Sequence, residues 1–339
     1  MLSGPVVRVV PFQPHCFAFG GFEVQMIAAM EAARVAGANI APLDFWRKEA
    51  DFEVLHCWGL ELQHTNTVKW ARTGGKRTVL SALVNYPGWK SWLRHLASLA
   101  IGPARLRRPM LAALDCITVV NEAQARYLIG TVKFPAEKVT IIPNVIEDIF
   151  FELAHSTHNA LFEIENYVLC VGNICRRKNQ LALVRACRKL GVPLLLVGNV
   201  LTGEENYGLA VAQAMPVGGR QRWIHGLEPG SVELAAAYRE GTVFALPSYL
   251  EQQPISALEA AAAGKPLVLA DLPYARQELY EGAVLADPRS EDSIIRAIRK
   301  ALDNPEAHCP PTSVMDQCRR LKVGAAYLAI YQRLIQTPS

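Results

Sequence analysis

The sequence predicts an α/β protein with two doubly wound parallel sheets, and three observations support this prediction. Short apolar runs without polar alternation recur along the chain, as expected for strands that are buried on both faces of a parallel sheet. Segments rich in helix-forming residues alternate with these runs. The length of 339 residues suits two domains of ordinary size.

The composition excludes several classes of protein. Hydrophobic residues make up 51% of the chain and charged residues 19%, which is a globular, core-forming balance. No apolar run approaches the ~20 residues that span a bilayer. Residues 1–10 lack the pattern of a signal peptide, so we expect a cytoplasmic protein. The eight cysteines form no CxxC pair and no cluster has metal-ligand spacing, so we expect no metal and no cofactor.

The first predicted elements are a strand, a glycine-containing turn and a helix. The strand covers residues 6–10, the loop ends in Gly20 and Gly21, and an Ala-rich amphipathic helix is predicted over residues 22–36. This order is typical of dinucleotide-binding folds. The full GxGxxG pattern is absent, so the turn does not predict an NAD site.

Four further strands are predicted in the first half of the chain, over residues 51–57, 78–84, 115–120 and 139–145. His56 lies in the first of these strands, where a packed histidine and a functional one are equally expected. Residues 152–165 are polar and predict a linker. In the second half, helices are predicted over residues 180–190, 231–239 and 314–335, and the last of these is long and amphipathic.

The basic residues are unevenly distributed. Residues 62–114 contain nine Lys and Arg residues and no acidic residue. Within this stretch, residues 88–108 interleave Trp and Leu with the basic residues, which fits peripheral contact with an anionic membrane. An ordinary solvated helix face explains the same pattern. Because no nucleic-acid-binding fold signature accompanies the charges, we expect no nucleic-acid partner.

The most informative stretch is residues 243–270. An apolar run over residues 243–246 predicts a buried strand, and a loop containing Glu251 follows it. Pro254 stands where helices commonly begin, and Gly264 is a natural helix end. Residues 266–270 predict the next strand. The stretch is therefore a strand–loop–helix–strand unit.

Two carboxylates and a helix start meet in this unit. Glu259 lies about one and a half turns into the helix, so Glu251 and Glu259 can both face the crevice at the carboxyl ends of the strands. Carboxylates accept hydrogen bonds from sugar hydroxyls, and a helix N-terminus favours a phosphate, so the combination suits a nucleotide sugar. The residues expected to line the ligand at this helix start are Gln253, Pro254, Ile255 and Ser256.

This stretch resembles the signature of the retaining glycosyltransferases of family 4, which have the GT-B fold. The signature is a Glu, seven residues, a second Glu and then Gly-Lys-Pro before a strand; here these are Glu251, Glu259 and residues 264–266. The resemblance implies two Rossmann-like domains that face each other across a cleft. It places residues 1–155 and 314–339 in the first domain and residues 156–313 in the second, nucleotide-sugar-binding domain.

The resemblance continues over residues 167–179. The family has an Arg directly after the glycine that ends a strand, and a Lys after four further residues, and both cations bind the donor diphosphate. Lys178 stands at the Lys position, whereas Asn173 replaces the Arg. Arg176 or Arg177 is expected to supply the missing charge, and the sequence does not choose between them. A cationic helix start is electrostatically unfavourable, which favours an anionic ligand there.

The resemblance also implies roles for single residues. Glu251 would position the donor sugar, and Glu259 would hold the ribose hydroxyls. Gly20 and Gly21 would let the backbone approach the donor phosphate or the acceptor. The backbone near Leu227 would contact the base. A histidine that many members carry after the third strand is missing, since residues 83–85 are Leu-Val-Asn.

We therefore expect a retaining, metal-independent transfer of a sugar from a nucleotide diphosphate, with UDP as the best candidate, to a glycan or lipid-linked acceptor. Front-side attack is favoured, with the leaving phosphate stabilised by Lys178, nearby arginines and the helix start. An inactive homologue that binds a nucleotide sugar or a partner transferase is the alternative that Asn173 and residues 83–85 suggest. A nucleotide-sugar epimerase would need an acid/base pair that is not visible. If residues 88–108 contact lipid, the protein would lie on the inner face of a membrane.

Overall fold

The structure is a computed structural model that describes residues 4–17, 20–84, 86–152, 162–216 and 218–337, without the side chains of residues 100 and 101. It divides into two compact units, the N-terminal unit of Met1–Val145 with Gln317–Ser339, and the C-terminal unit of Ile146–Asp316. The domain boundary predicted at residues 155 and 156 lies outside the described residues, as does much of the predicted linker.

Each unit contains a six-stranded sheet in which all neighbouring strands are parallel. The strands of the N-terminal unit are β1 Val6–Val10, β2 Asn39–Pro42, β3 Val54–Trp58, β4 Arg77–Ser81, β5 Cys116–Val119 and β6 Val139–Ile141. The strands of the C-terminal unit are β7 Val168–Val171, β8 Leu194–Val197, β9 Gln221–Ile224, β10 Val243–Leu246, β11 Leu267–Ala270 and β12 Val284–Ala286. The strand orders are β2-β1-β3-β4-β5-β6 and β12-β11-β10-β7-β8-β9.

Helices connect most of the consecutive strands, as is usual between parallel strands of one sheet. Those of the N-terminal unit before its last segment are α1 Gly21–Val35, α2 His64–Thr73, α3 Trp89–Ile101, α4 Pro103–Ala112 and α5 Glu122–Tyr127. Those of the C-terminal unit are α6 Gln180–Leu190, α7 Glu205–Ala214, α8 Val232–Glu240, α9 Ile255–Ala262, α10 Glu291–Asp303 and α11 Thr312–Met315. The last helix, α12 Arg320–Gln336, belongs to the N-terminal unit. Among the helices of the described residues, none is long and apolar enough to cross a bilayer.

The sheet of the N-terminal unit is buried on both faces. Val54 and Trp58 of β3 join a core that α1 and α12 complete, whereas Leu55 and Cys57 join a second core with α2 and α4. Such burial explains why the strands show apolar runs instead of alternation. The predicted fold class of two doubly wound parallel α/β domains is confirmed.

Several element boundaries differ from the sequence prediction. Three predicted strands are shorter at one or both ends: β3 begins at Val54, β4 ends at Ser81 and β6 ends at Ile141. The predicted helix over residues 314–335 begins only at Arg320, because Arg319 has an extended backbone with ψ of 143°. Strands β2 and β12 and helices α2, α7, α10 and α11 were not predicted.

Candidate functional site

The C-terminal unit contains a topological switch point between β7 and β10. These neighbouring strands lie at the middle of the sheet, and the chain leaves β7 toward β8 but leaves β10 toward β11. Ligands bind at the carboxyl ends of such a strand pair, because the two loops diverge and leave a crevice. The loop after β7 holds Lys178 and the loop after β10 holds Glu251, so the sequence placed both residues correctly at this edge.

The two loops are fastened to each other by hydrogen bonds. The side-chain amide of Asn179 donates to the carbonyl oxygen of Pro247 at 3.1 Å. The backbone N–H of Tyr249 donates to the carbonyl oxygen of Arg177 at 2.8 Å. The Arg177 guanidinium returns a hydrogen bond to the carbonyl oxygen of Leu250 at 2.8 Å. These bonds fix the side chains of the first loop against those of the second.

Glu251 is the centre of a small ion cluster. Its Oε1 lies 3.0 Å from Lys178 Nζ and 3.1 Å from Arg177 Nη1. Only 8% of the Glu251 side chain and 11% of the Lys178 side chain are exposed, against 46% for Arg177. Burial alone would raise the pKa of Glu251, but Lys178 and Arg177 outweigh it and hold the pKa below its ordinary value. Glu251 is therefore ionised at neutral pH.

Glu259 has a different environment, although it is only eight residues away. It lies in α9 with 7% exposure, and its Oε2 accepts a hydrogen bond of 2.6 Å from the hydroxyl of Tyr238 in α8. Burial raises the pKa of Glu259 to about 7; the Tyr238 hydrogen bond and the charge of Lys178 oppose this rise, and the charge of Glu147 adds to it. Glu259 thus titrates near neutral pH.

The helix start next to these carboxylates is largely buried. Pro254 caps α9 with an extended backbone, and Gln253 and Ser256 are 4% and 7% exposed, while Ile255 is half-buried. The carbonyl oxygen of Pro254 accepts the N–H groups of residues 257 and 258. The N–H groups nearer the helix start have no such intrahelical acceptor, which leaves the positive end of the helix dipole beside Glu251.

The structure separates the two arginines that the sequence could not distinguish. Arg177 contacts Glu251, whereas Arg176 is 72% exposed in its side chain, lies 3.6 Å from Glu204 and stacks over the ring of Tyr207. Asn173, at the position of the family's Arg, is half-buried, and its carbonyl oxygen accepts a hydrogen bond from Gln180.

Three other predicted residues lie apart from the ion cluster. Leu227 is half-buried in the loop between β9 and α8, at the same edge of the sheet. Gly20 and Gly21 belong to the N-terminal unit, where Gly20 caps α1 and donates its N–H to Glu23 Oε2 at 2.9 Å. The Glu23 side chain therefore holds the end of the loop against the start of α1. Gly20 is extended, so no left-handed backbone requires glycine at this position.

His56 is a packed histidine. It is 1% exposed and hydrogen-bonded to the hydroxyls of Tyr331 and Ser81, each at 2.8 Å. Burial lowers its pKa to about 3, so it stays neutral at physiological pH. These contacts join β3, β4 and α12 and assign His56 to the structure of the unit. Asn85, at the position of the family's missing histidine, lies outside the described residues.

Metal-ligating side chains and thiols are the other groups that could form a site. In the part of the chain that the structure describes, no group of three or more His, Cys, Asp and Glu residues is arranged to hold a metal ion. The eight cysteines are free, and Cys16 is the exposed one.

The sequence missed two residues that shape this site, Tyr238 and Asn179. Tyr238 was only one apolar position of a predicted helix, and its contact with Glu259 depends on how α8 and α9 pack. Asn179 has a left-handed backbone with φ of 61°, a conformation that asparagine tolerates better than most residues. An Asn before a predicted helix was the signal that a turn needed this geometry.

Comparisons with known proteins show which families and folds this chain resembles. A model of glycosyl transferases group 1 matches residues 154–311, and a model of Glycosyltransferase Family 4 matches residues 17–148. The structure superposes over its whole length on a glycosyltransferase from Rickettsia africae, with a TM-score of 0.74, 12% identity and 100% of each chain covered. It also superposes on Anabaena HepE in complex with UDP and glucose, with a TM-score of 0.71, 12% identity and coverage of 97% and 99%.

A curated relative gives the stronger sequence match. D-inositol 3-phosphate glycosyltransferase from Mycolicibacterium smegmatis is 31% identical over 185 residues, which cover 50% of this chain. The match spans 42% of the length of that relative.

The fold defines a two-domain α/β protein of the GT-B class. Within that class, the chain is similar to glycosyltransferases, and its resemblance to family 4 is confirmed.

Proposed function

We propose that this protein transfers a sugar from a nucleotide diphosphate to a glycan or lipid-linked acceptor, with retention of configuration and without a metal ion. The observation that carries the proposal is the buried carboxylate of Glu251 between Lys178 and Arg177, eight residues before the buried Glu259. The cations suit a diphosphate, and the carboxylates suit hydroxyl groups. UDP is the best candidate for the nucleotide, supported by the UDP and glucose bound to Anabaena HepE.

The proposed reaction is a front-side displacement. The acceptor oxygen forms a bond to the anomeric carbon on the face from which the diphosphate departs, and the bond between that carbon and the phosphate oxygen breaks. The departing phosphate oxygen takes the proton of the acceptor hydroxyl. Lys178 and Arg177 stabilise the charge that grows on the phosphate, and Glu259 accepts hydrogen bonds from the ribose hydroxyls. Glu251 orients the sugar.

Donor turnover in the presence of EDTA tests this function. We expect UDP release from a UDP-sugar, dependent on an added glycan or lipid-linked acceptor, and an α-linked product from an α-linked donor. Lys178→Ala should lower kcat by about 100-fold, because it removes a buried charge that acts on the leaving group. Lys189→Ala is the control, since Lys189 is exposed and pairs with Glu291 in α10. Turnover only with added metal, or an inverted product, would contradict the mechanism.

An inactive homologue is the second candidate, and the specific observation for it is Asn173 at the position of the family's Arg. Such a protein would bind a nucleotide sugar, with a partner transferase performing the chemistry. The same assay separates the two functions. Donor binding by calorimetry, with no UDP release from any donor and acceptor pair, would favour the binding protein.

We further propose that α3 and α4 contact an anionic membrane, which would place the protein on the inner face of the membrane in polysaccharide or glycolipid synthesis. Four apolar residues of α3 follow helical spacing on one face and are between 42% and 69% exposed: Trp89, Trp92, Leu93 and Leu96. Lys90 and Arg94 are exposed in the same helix. An exposed apolar stripe with basic neighbours fits a lipid interface better than it fits a solvated face.

Vesicle co-sedimentation tests this surface. Wild-type protein should bind vesicles of equal phosphatidylglycerol and phosphatidylcholine, bind phosphatidylcholine alone weakly, and dissociate at high salt. A Trp89→Ser, Trp92→Ser double variant should lose binding. Trp70→Ser is the matched control, because Trp70 is 71% exposed but lies in α2. Equal loss in the control, or no binding by wild type, would reject the membrane surface.

A further inference from the structure

The ion cluster at Glu251 carries more positive than negative charge. The ion pairs of Lys178 and Arg177 both end on the same carboxylate oxygen, at 3.0 and 3.1 Å. One buried negative charge therefore serves two cations. Removing a buried charge from its partner is strongly unfavourable, so the carboxylate keeps both cations in place when no other anion is present.

The position of this carboxylate is also the natural position for a ligand phosphate. It lies beside two cations, at the carboxyl ends of β7 and β10 and next to the start of α9. The Lys178 side chain runs across Gly172, where an added Cβ would lie 3.1 Å from Nζ. A phosphate and the Glu251 carboxylate cannot hold the same N–H donors at once. A phosphate that takes the position of the carboxylate therefore displaces Glu251 from at least one cation.

The choice between Arg177 and Arg176 follows from their contacts. Arg177 is fixed at its carbonyl oxygen by Tyr249 N–H and at its guanidinium by the Leu250 carbonyl oxygen, both at 2.8 Å. Arg176 is directed instead to Glu204, which caps α7, and to Tyr207 within α7. Of the two, only Arg177 shares an anion with Lys178.

We propose that Arg177 and Lys178 together bind the donor diphosphate, and that Glu251 occupies the phosphate position until the donor arrives. This inference rests on the proposed function, since it assumes a donor with a diphosphate. On binding, the diphosphate takes over the cations, and the released carboxylate accepts hydrogen bonds from the sugar hydroxyls. A nucleotide sugar supplies both groups in one molecule, whereas a free nucleotide leaves Glu251 without its new partner.

The proposal makes an unusual prediction for Glu251→Gln. An amide has no charge to compete with a phosphate, so the variant should bind inorganic pyrophosphate about tenfold more tightly than wild type, while sugar transfer falls. If Glu251 only held the two cations in place, its substitution would instead weaken pyrophosphate binding. Pyrophosphate is the probe because it contains no base or sugar.

Titration calorimetry of the full-length protein with pyrophosphate and with UDP, at pH 8.0 in EDTA, tests the proposal. Arg177→Ala should weaken pyrophosphate binding by about tenfold and Arg177→Lys should restore part of it. Arg176→Ala removes the same charge one residue earlier and should have about a twofold effect at most, because its side chain is exposed. Thermal unfolding of each variant confirms that it is folded.

Three results would overturn parts of the proposal. Weaker or unchanged pyrophosphate binding by Glu251→Gln overturns the role of Glu251, and an effect of Arg176→Ala as large as that of Arg177→Ala overturns the assignment of Arg177. No pyrophosphate binding by wild type at 10-fold the concentration used for UDP also overturns the inference. If the variants behave as expected but no nucleotide sugar is turned over, the inference stands and the proposed transferase function fails.

Discussion

In the proposed function Glu259 accepts two hydrogen bonds from the ribose, for which it must be ionised, so donor binding should weaken as the pH falls through 7. Burial raises the pKa of this carboxyl to about 7, with the Tyr238 hydroxyl and Lys178 opposing the rise and Glu147 adding to it. A protonated carboxyl loses part of its acceptor capacity and presents a donor to the ligand hydroxyls. Only the ionised fraction then binds the donor well.

The magnitude follows from the titration. With a pKa of about 7, about 90% of Glu259 is ionised at pH 8 and about 9% at pH 6, so donor affinity should fall about tenfold over this range. The assay is calorimetric titration with UDP-glucose, whose diphosphate ester has no ionisation near neutral pH. Affinity that stays constant between pH 6 and 8 would refute the role of Glu259.

Tyr238→Phe tests the cause of this pH dependence. Loss of the 2.6 Å hydrogen bond removes a group that favours the ionised carboxylate, so the midpoint should rise by about one pH unit. Tyr167→Phe is the matched control, because Tyr167 is buried in the same unit but donates to the carbonyl oxygen of Ala237 at 2.9 Å. It should lower stability and leave the midpoint unchanged. A midpoint that moves equally in both variants would show a general effect of weaker packing.

Three further predictions concern stability and backbone. The pKa of Glu259 is about 7 in the folded state against an ordinary value of 4.5, so the folded state binds more protons between these two pH values. The free energy of unfolding should therefore fall by up to about 3 kcal/mol as the pH rises from 4.5 to 7. Urea titrations should show this fall for wild type and not for Glu259→Gln. Gly172→Ala places a Cβ 3.1 Å from Lys178 Nζ at a backbone φ of 140°, so the KM for the donor should rise severalfold or more, and an unchanged KM would contradict the Lys178 position. Gly324→Ala places a Cβ against the carbonyl oxygen of Ala32, so thermal denaturation should show that the free energy of unfolding falls by about 2 kcal/mol or more. Gly130→Ala is the control and should show no such fall, because there is open space around Gly130.

Much of the C-terminal unit was predictable because local signals agree there. The segment of residues 243–270 has an apolar run, a Pro before the helix and a Gly after it. The structure places β10, α9 and β11 within one or two residues of the prediction. Helix α6 was predicted over residues 180–190, and the structure gives Gln180–Leu190. In both cases the helix and strand propensities, the residues at the helix ends and the pattern of burial favour the same structure.

Two of the elements that were missed, α2 and β2, lack such agreement. Helix α2 is polar for most of its length, and of its residues only His64 and Val68 are buried, so no apolar period marks it. Strand β2 lies at the edge of its sheet and is only four residues long. The last helix was predicted too long because residues 314–318 are compatible with a helix locally, although tertiary contacts place a separate short helix and a turn there.

The side-chain arrangement of the site could be predicted only in part. The motif spacing placed Glu251 and Lys178 at the carboxyl edge of one sheet, because strand order and loop position suffice for that conclusion. It could not show that Arg177 turns toward Glu251 while its neighbour Arg176 turns away. That difference depends on the 3-10 turn of residues 176–178 and on hydrogen bonds to a loop about 70 residues later.

The two glutamates show how one short segment can provide two different functions. Both are buried, which by itself raises the pKa of each carboxyl. Glu251 faces two cations, so it stays ionised, and in the proposed function a phosphate replaces it. Glu259 faces the Tyr238 hydroxyl and has no cation at ion-pair distance among the described residues, so its charge depends on pH and on a ligand that donates hydrogen bonds. Opposite shifts of two nearby carboxyls separate their roles. Exchanging the roles would need a cation beside Glu259, and a variant such as Tyr238→Lys should therefore lower its pKa and remove the pH dependence of donor binding.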